Sequence, residues 1–155
     1  MLTRALLSAL LLLAAQAAFP KPPAAWQFQD WNAAVAAAER GNKPLFVLFG
    51  FEECPYCDHL YRNGMDSAEL RNKYQASVVL AYYDTRAHQA NDVVRLPGGA
   101  TMSHAQFIQQ FRAYPTPSWM FMSTKGSMLK ANRGSKSTSR DLLRDLDAAL
   151  AANRP

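Results

Sequence analysis

Residues 44–57 read PLFVLFGFEECPYC, a continuously apolar stretch followed closely by the only two cysteines of the chain. The run 45–49 indicates a β-strand that is covered on both faces. Pro55 favours a helix that begins at Cys54, because proline suits the first helical turn. The Cys54 sulfur would then lie beside the free N–H groups and the positive dipole end of that helix, which stabilise a thiolate. With Cys57 three positions later, this pattern is typical of a thiol–disulfide active site.

The spacing of the two cysteines favours a redox role over a structural one. A disulfide stabilises a fold mainly by closing a long loop, and a bridge across two intervening residues closes almost none. A pair that contributes so little stability is better explained by chemistry than by structure.

The first 20 residues, MLTRALLSALLLLAAQAAFP, have the anatomy of a secretory signal peptide. Arg4 precedes an apolar run over 5–15, and Ala15-Gln16-Ala17 is a small-x-small cleavage site. The run is short for a membrane span, and no basic stop-transfer cluster follows it. The sequence therefore predicts a signal peptide over 1–17, a proline-rich leader over 18–25 and one domain over 26–155. The mature protein is expected in the periplasm, an oxidising compartment, without a membrane span.

The chain has 17 basic and 12 acidic side chains, a formal net charge of +5. The basic residues are scattered, and no run of them alternates with aromatic residues as in a nucleic-acid groove. We therefore expect no nucleic-acid partner.

Periodicity and capping signals predict one α/β domain with parallel strands first and a β-hairpin near the end. The predicted strands are 26–28 (a short edge strand), 45–49, 78–83, 118–122 and 127–131. The predicted helices are 31–40 capped by Asp30, 54 to about 62, a turn from 67, 103 to about 112 opened by a capping box, and 140–152 capped by Ser139. Residues 85–101 show only a weak pattern.

The strand-to-CPYC junction, the Thr116-Pro117 dipeptide before an apolar strand, the Lys125-Gly126 turn and the capped last helix resemble the thioredoxin-like superfamily. The resemblance extends from about Trp26 to Ala152. It is nearest to exported members such as the periplasmic thioredoxins of sulfur oxidation. It implies a thioredoxin-like fold, with a central mixed sheet of four to five strands flanked by helices, a C-terminal hairpin and a last helix.

The resemblance also implies roles for the site residues. Cys54 would be the exposed nucleophile that forms a mixed disulfide, and Cys57 would resolve it. Pro117 would be the cis-proline that faces the cysteines, with Pro115 as its competitor, and Thr116 before it would pair with the bound substrate.

Exposed Tyr56 would complete the substrate-binding face. The chain departs from thioredoxins at Leu48, where they carry a buried aspartate, and at Glu53, where they carry a tryptophan. Proton transfer to Cys57 then needs another group; Glu52 and Glu53 are candidates, with solvated loop carboxylates as the alternative interpretation.

A metal site is the weaker interpretation of the cysteines. Cys54, Cys57 and His59 would supply three zinc ligands, and no fourth stands at a recognisable spacing. We expect neither a metal nor a bound cofactor, and we expect His88 and His104 at the surface.

The function predicted is therefore an exported protein thiol–disulfide oxidoreductase that acts on protein or small-molecule disulfides. The compact domain favours a reductase supplied with electrons by a membrane donor. The alternatives are a non-catalytic binding or chaperone-like module, a glutathione-dependent glutaredoxin suggested by CPYC, and a disulfide oxidase.

Overall fold

The computed structural model describes residues 21–134 and 138–154. The predicted signal peptide and the first leader residues, 18–20, lie outside the described residues.

The described elements comprise one 3-10 helix, five α-helices and six β-strands. In chain order they are a 3-10 helix (Ala24–Trp26), α1 (Trp31–Gly41), β1 (Leu45–Gly50), α2 (Pro55–Asn63), α3 (Ala68–Ser77), β2 (Val79–Asp84), β3 (Val93–Arg95), β4 (Thr101–Ser103), α4 (His104–Gln110), β5 (Ser118–Met122), β6 (Met128–Arg133) and α5 (Ser139–Ala152).

The central sheet has four strands in the order β2-β1-β5-β6. β1 pairs in parallel with β2, whereas β5 is antiparallel to β1 and to β6. Leu48, in the middle of β1, lies between Tyr82 of β2 and Trp119 of β5. The predicted mixed α/β sheet with a C-terminal hairpin is confirmed, and its two inner strands, β1 and β5, are fully buried.

Two apolar layers cover the sheet, because alternate residues of β1 point to opposite faces. One layer contains Phe46 and Leu48 together with both cysteines and buried residues of α2, α3 and α5. The other contains Leu45, Val47 and Phe49 together with buried residues of α1 and α4. The cysteines therefore lie at the end of a strand that is packed on both sides.

The predicted helix starts are largely confirmed. An Asp30 side-chain oxygen accepts a hydrogen bond from the Ala33 amide at 3.0 Å and begins α1. Ser103 and Gln106 form the predicted capping box of α4. The last helix is capped by Thr138, one residue before the predicted cap, and Ser139 is its first residue.

The predicted edge strand at 26–28 is wrong. A 3-10 helix ends at Trp26, and Gln27 adopts a left-handed conformation with φ of 58°. This geometry directs the Trp26 indole inward, where its Nε1 donates to the Met65 carbonyl at 2.8 Å. Strand-like pairing of this segment is limited to one parallel bridge between Gln29 and Ala81.

The weakly patterned segment 85–101 contributes to a small second sheet. β3 and β4 pair in an antiparallel arrangement, with Val94 opposite Met102. Three-residue strands are too short to show the alternation that identifies longer ones. Among the residues that the structure describes, no helix combines the length and apolar character needed to cross a membrane.

Candidate active site

The two cysteines form a disulfide directly after β1, with an S–S distance of 2.08 Å and a Cα–Cα distance of 5.2 Å. Cys54 is the N-cap of α2, and Pro55 occupies the first turn as predicted. Sequence and structure therefore agree on the origin of this geometry. A buried strand ends, a helix begins, and both sulfurs lie at the helix N-terminus.

The Cys54 sulfur takes the place that a serine or aspartate oxygen usually has at a helix cap. It accepts a hydrogen bond from the Cys57 amide at 3.2 Å. An N–H donor and the positive end of a helix dipole both favour negative charge on that sulfur. The Cys54 sulfur therefore has a backbone N–H donor that would stabilise its thiolate form.

The expectation that Cys54 is exposed is wrong for the oxidised state. Only 1% of Cys54 and none of Cys57 is accessible to solvent. The Cys54 sulfur turns toward the Cys57 amide and the apolar layer that contains Leu60 and Trp119. Both sulfurs are therefore shielded from solvent in the oxidised protein.

The loop before β5 lies against the disulfide. The Thr116 hydroxyl oxygen is 3.6 Å from the Cys54 sulfur, within hydrogen-bonding distance for sulfur, and Thr116 is buried. The Tyr114–Pro115 and Thr116–Pro117 bonds are both cis. Pro117 is buried directly before β5, whereas Pro115 is exposed and lies against Gly134 at the end of β6.

The remaining predicted site residues lie on the outer side of the cysteines. Tyr56, predicted to lie on the active-site face, is 75% exposed. Glu52 and Glu53 are also exposed, and the Glu52 carboxylate is 3.9 Å from the Lys21 ammonium group. Glu53 adopts a left-handed conformation with φ of 64°, which is uncommon for a residue with a side chain.

A cation–π contact lies between the loop after β2 and the link before Cys54. The Arg86 guanidinium carbon lies 3.5 Å from the centre of the Phe51 ring. Phe51 follows β1 directly, so this contact ties the loop after β2 to the link before Cys54. It also places the positive charge of Arg86 against Phe51, the residue directly before Glu52 and Glu53.

Two tyrosines beside Cys57 were not identified from the sequence. Tyr61 is buried one helical turn after Cys57, and its hydroxyl has no hydrogen bond of ordinary geometry. Burial raises the pKa of the Tyr61 hydroxyl well above its ordinary value, and the neighbouring Tyr82 hydroxyl raises it further. Burial, with a further contribution from Asp84, raises the pKa of Tyr82 to about 12. The spacing of four residues from Cys57 would have indicated Tyr61, whereas Tyr82 is positioned by strand register, which the sequence does not specify.

The histidines are distributed differently from the prediction. His59 and His88 are exposed, but His104 is buried and its Nδ1 lies 2.8 Å from the Tyr83 hydroxyl. The capping box places His104 at the start of α4, which packs on β2. Within residues 21–134 and 138–154, no three histidine, cysteine or acidic side chains are grouped as metal ligands.

Comparison with known proteins identifies the family of this fold. The sequence profile of the thioredoxin-like domain matches residues 31–148. The chain belongs to this thioredoxin-like family. A search of curated proteins with the sequence returns no match.

Solved structures of the thioredoxin-like fold superpose on most of the chain. A putative disulphide-isomerase from Bacteroides thetaiotaomicron has a TM-score of 0.61 at 15% identity, covering 79% of this chain and 91% of that one. The DsbH oxidoreductase has a TM-score of 0.59 at 15% identity, covering 85% and 91%. A thioredoxin from Thermus thermophilus has a TM-score of 0.59 at 18% identity, covering 77% and 85%. At these identities the similarity establishes the fold.

Proposed function

We propose that this protein is an exported thiol–disulfide oxidoreductase that reduces disulfides of partner proteins through Cys54 and Cys57. The observation that supports this most directly is the Cys54–Cys57 disulfide at the N-terminus of α2. Its first sulfur is within hydrogen-bonding distance of both the Cys57 amide and the Thr116 hydroxyl. The family and the names of its structural neighbours support the same class of chemistry.

The reaction begins with both cysteines reduced. The Cys54 thiolate attacks one sulfur of the partner disulfide, and the other partner sulfur leaves as a thiolate that takes a proton from water. The Cys57 thiol then loses its proton, and its thiolate attacks the Cys54 sulfur. The bond between Cys54 and the partner breaks, and the second partner sulfur leaves as a thiolate that is protonated. Two electrons pass from the dithiol to the partner, and the protein is left as the disulfide seen in the structure.

The loop around Thr116 and Pro117 is proposed to hold the partner chain beside Cys54. The distance between Thr116 and Cys54 supports this assignment, because a chain bound along the loop would have its sulfur next to the nucleophile. Tyr56 is proposed to contact the partner from the helix side, where its ring is available. Glu52 and Glu53 remain candidates for accepting the Cys57 proton.

The reducing direction is supported by the compact domain. In the described residues, α2 and α3 connect β1 to β2, whereas β3, β4 and α4 connect β2 to β5. None of these helices exceeds ten residues, and no helical domain is inserted. A reductase in an oxidising compartment needs a supply of electrons, and we propose a membrane protein as the donor. The signal peptide over 1–17 is part of this proposal. The N-terminal sequence of the exported protein tests it, with Ala18 expected first.

Trapping of the mixed disulfide tests the proposed chemistry. Reduced Cys57→Ser and Cys54→Ser variants are each mixed with a peptide dimer whose two chains are joined by one disulfide, and the products are separated and weighed by mass spectrometry. The Cys57→Ser variant is expected to accumulate a covalent adduct with half of the peptide, because the resolving thiol is absent. The Cys54→Ser variant is the matched control and is expected to form little adduct.

Three results would contradict the proposal. Equal adduct from both variants would mean that Cys54 is not the specific nucleophile. Sustained turnover by Cys57→Ser with glutathione as the only reductant would indicate a glutaredoxin mechanism instead. If a Cys54→Ser/Cys57→Ser double variant retained the biological role of the protein, a non-catalytic binding function would replace the enzymatic one.

A further inference from the structure

We propose that the Tyr82 hydroxyl, positioned by Tyr61, donates a hydrogen bond to the Cys57 thiolate when the disulfide is reduced. This inference rests on the proposed function, since it concerns the step in which Cys57 resolves the mixed disulfide. It assigns a role to two hydroxyl groups that the exchange reaction above leaves unused.

The first observation is the position of Tyr61. Cys57 and Tyr61 are four residues apart on α2, so their side chains lie on the same face of the helix. Both are buried, with 0% and 6% of their surfaces exposed. The Tyr61 hydroxyl oxygen is inaccessible to solvent and lacks a hydrogen bond of ordinary geometry. The group that its oxygen interacts with is the neighbouring Tyr82 hydroxyl, so Tyr61 can hold Tyr82 in place.

The second observation is the narrow space beside Gly50. A methyl group on Gly50 would lie 3.0 Å from the Tyr82 hydroxyl oxygen and 3.4 Å from the Cys57 sulfur. The two atoms therefore face the same point on the last residue of β1. Gly50 is not among the glycines with positive φ, so its backbone conformation does not require glycine. Its lack of a side chain instead leaves room beside β1 in the space that the Tyr82 hydroxyl and the Cys57 sulfur both border.

The third observation is the register of the sheet. Tyr82 lies beside Leu48 on β1, and both side chains belong to the layer that contains the cysteines. Its neighbour Tyr83 belongs to the opposite layer, where its hydroxyl lies near His104. Only one of these two consecutive tyrosines can therefore reach Cys57.

A hydrogen-bond donor at this position would stabilise the thiolate of Cys57. The Cys57 sulfur lies in an apolar layer, and burial disfavours a thiolate. The charged groups that act on the tyrosine pair are carboxylates, those of Asp84, Glu52 and Asp58, and negative charge on them opposes a second anion. The raised pKa of Tyr82, about 12, keeps its hydroxyl protonated and able to donate at neutral pH.

The proton balance of the step is simple. The Cys57 thiol proton leaves to water or to a buffer base, and the Tyr82 hydroxyl keeps its own proton throughout. The Cys57 thiolate then forms the bond to the Cys54 sulfur, and the partner sulfur leaves with the electron pair of the broken bond. Tyr82 lowers the free energy of the thiolate, and Tyr61 acts as a positioning residue behind it.

The test is the pKa of Cys57 in a Cys54→Ser background, where Cys57 is the only thiol. The 13Cβ chemical shift of labelled cysteine reports its ionisation without a reagent that must enter the core. Tyr82→Phe is expected to raise the Cys57 pKa by about one unit, the effect of one hydrogen bond to a charged group. Tyr61→Phe is expected to raise the Cys57 pKa by less.

Tyr83→Phe is the matched control, because it removes the next buried hydroxyl on the same strand but from the opposite face. It is expected to leave the Cys57 pKa unchanged. Equal pKa values for Cys57 in the parent, Tyr82→Phe and Tyr83→Phe proteins would overturn the inference. The titration needs no partner, so it gives an answer even if the trapping experiment contradicts the proposed function. If the mixed disulfide is trapped as expected but Tyr82→Phe leaves the Cys57 pKa unchanged, this inference is overturned and the proposed function stands.

Discussion

The Thr116 hydroxyl oxygen lies 3.6 Å from the Cys54 sulfur, although 62 positions separate the two residues. The contact joins the start of α2 to the loop before β5, and it gives Cys54, the proposed nucleophile, a hydrogen-bonding partner besides the Cys57 amide. It is therefore the part of the site whose removal should act on Cys54 most selectively.

Thr116→Val removes this hydroxyl with little change in shape. We expect the Cys54 pKa to rise by about half a unit to one unit, because the thiolate loses one hydrogen bond from a neutral hydroxyl group. The pH dependence of Cys54 alkylation in a Cys57→Ser background measures it. Thr85→Val is the control, since Thr85 is also buried but donates its hydroxyl hydrogen to the Gly50 carbonyl. An equal effect of the two substitutions would exclude a direct role for Thr116.

Tyr56→Ala tests the proposed partner-binding face. We expect kcat/KM for a protein disulfide to fall about fivefold, the effect of losing roughly 1 kcal/mol of contact with the partner. The free energy of unfolding should change little, because 75% of Tyr56 is exposed. Val93→Ala, at an equally exposed position on β3, is the control. A loss of stability matching the loss of activity would assign Tyr56 to the fold instead.

We expect His104 to contribute to the loss of folding stability at acid pH. Burial lowers the pKa of His104 below its ordinary value of 6.5, and nearby His88 lowers it further, against the smaller opposite effect of Asp92. The unfolded chain therefore binds the proton first as the pH falls through 6.5. The contribution of neutral His104 to the free energy of unfolding is therefore present above pH 6.5 and is lost as the pH falls below it.

The free energy of unfolding in urea at pH 7.5 and 5.5 measures this effect. We expect the loss between the two pH values to be smaller in His104→Gln than in the unmodified protein, because the variant lacks the titrating group. An equal or larger loss in the variant would mean that His104 does not contribute.

Gly126→Ala tests the packing of the turn between β5 and β6 on the loop at Pro97. Gly126 has φ of 79°, and a methyl group there would lie 2.8 Å from the Pro97 carbonyl oxygen. We expect a loss of about 3 kcal/mol in the free energy of unfolding, from backbone strain and steric overlap together. Gly99→Ala is the matched control, because Gly99 has φ of 92° with no atom near the added methyl group. It should lose only about 1 kcal/mol, and equal losses would show that the overlap is relieved.

The sequence predicts the parts of this structure that depend on local signals. The apolar run before Cys54 and the proline after it define the strand, the helix start and the redox pair. The Asp30 cap and the Ser103 capping box are likewise local, and both are confirmed. Each of these features involves residues within a few positions of one another.

The features that sequence reasoning missed depend on distant contacts. Trp26 is inward because its indole donates to the Met65 carbonyl, which replaces the predicted edge strand with a 3-10 turn. His104 is buried because α4 packs against Tyr83. Tyr82 approaches Cys57 only through the register of β2 on β1. None of these pairings is encoded by spacing along the chain.

The proposal that Cys54 and Cys57 reduce partner disulfides can be tested through the equilibrium reduction potential of the pair. The protein is equilibrated in thiol–disulfide redox buffers of defined ratio, and the fraction of reduced protein is measured at each ratio. We expect a potential near that of thioredoxins, about −270 mV. A potential near the strong-oxidant end, about −120 mV, would contradict it and make the protein a disulfide donor.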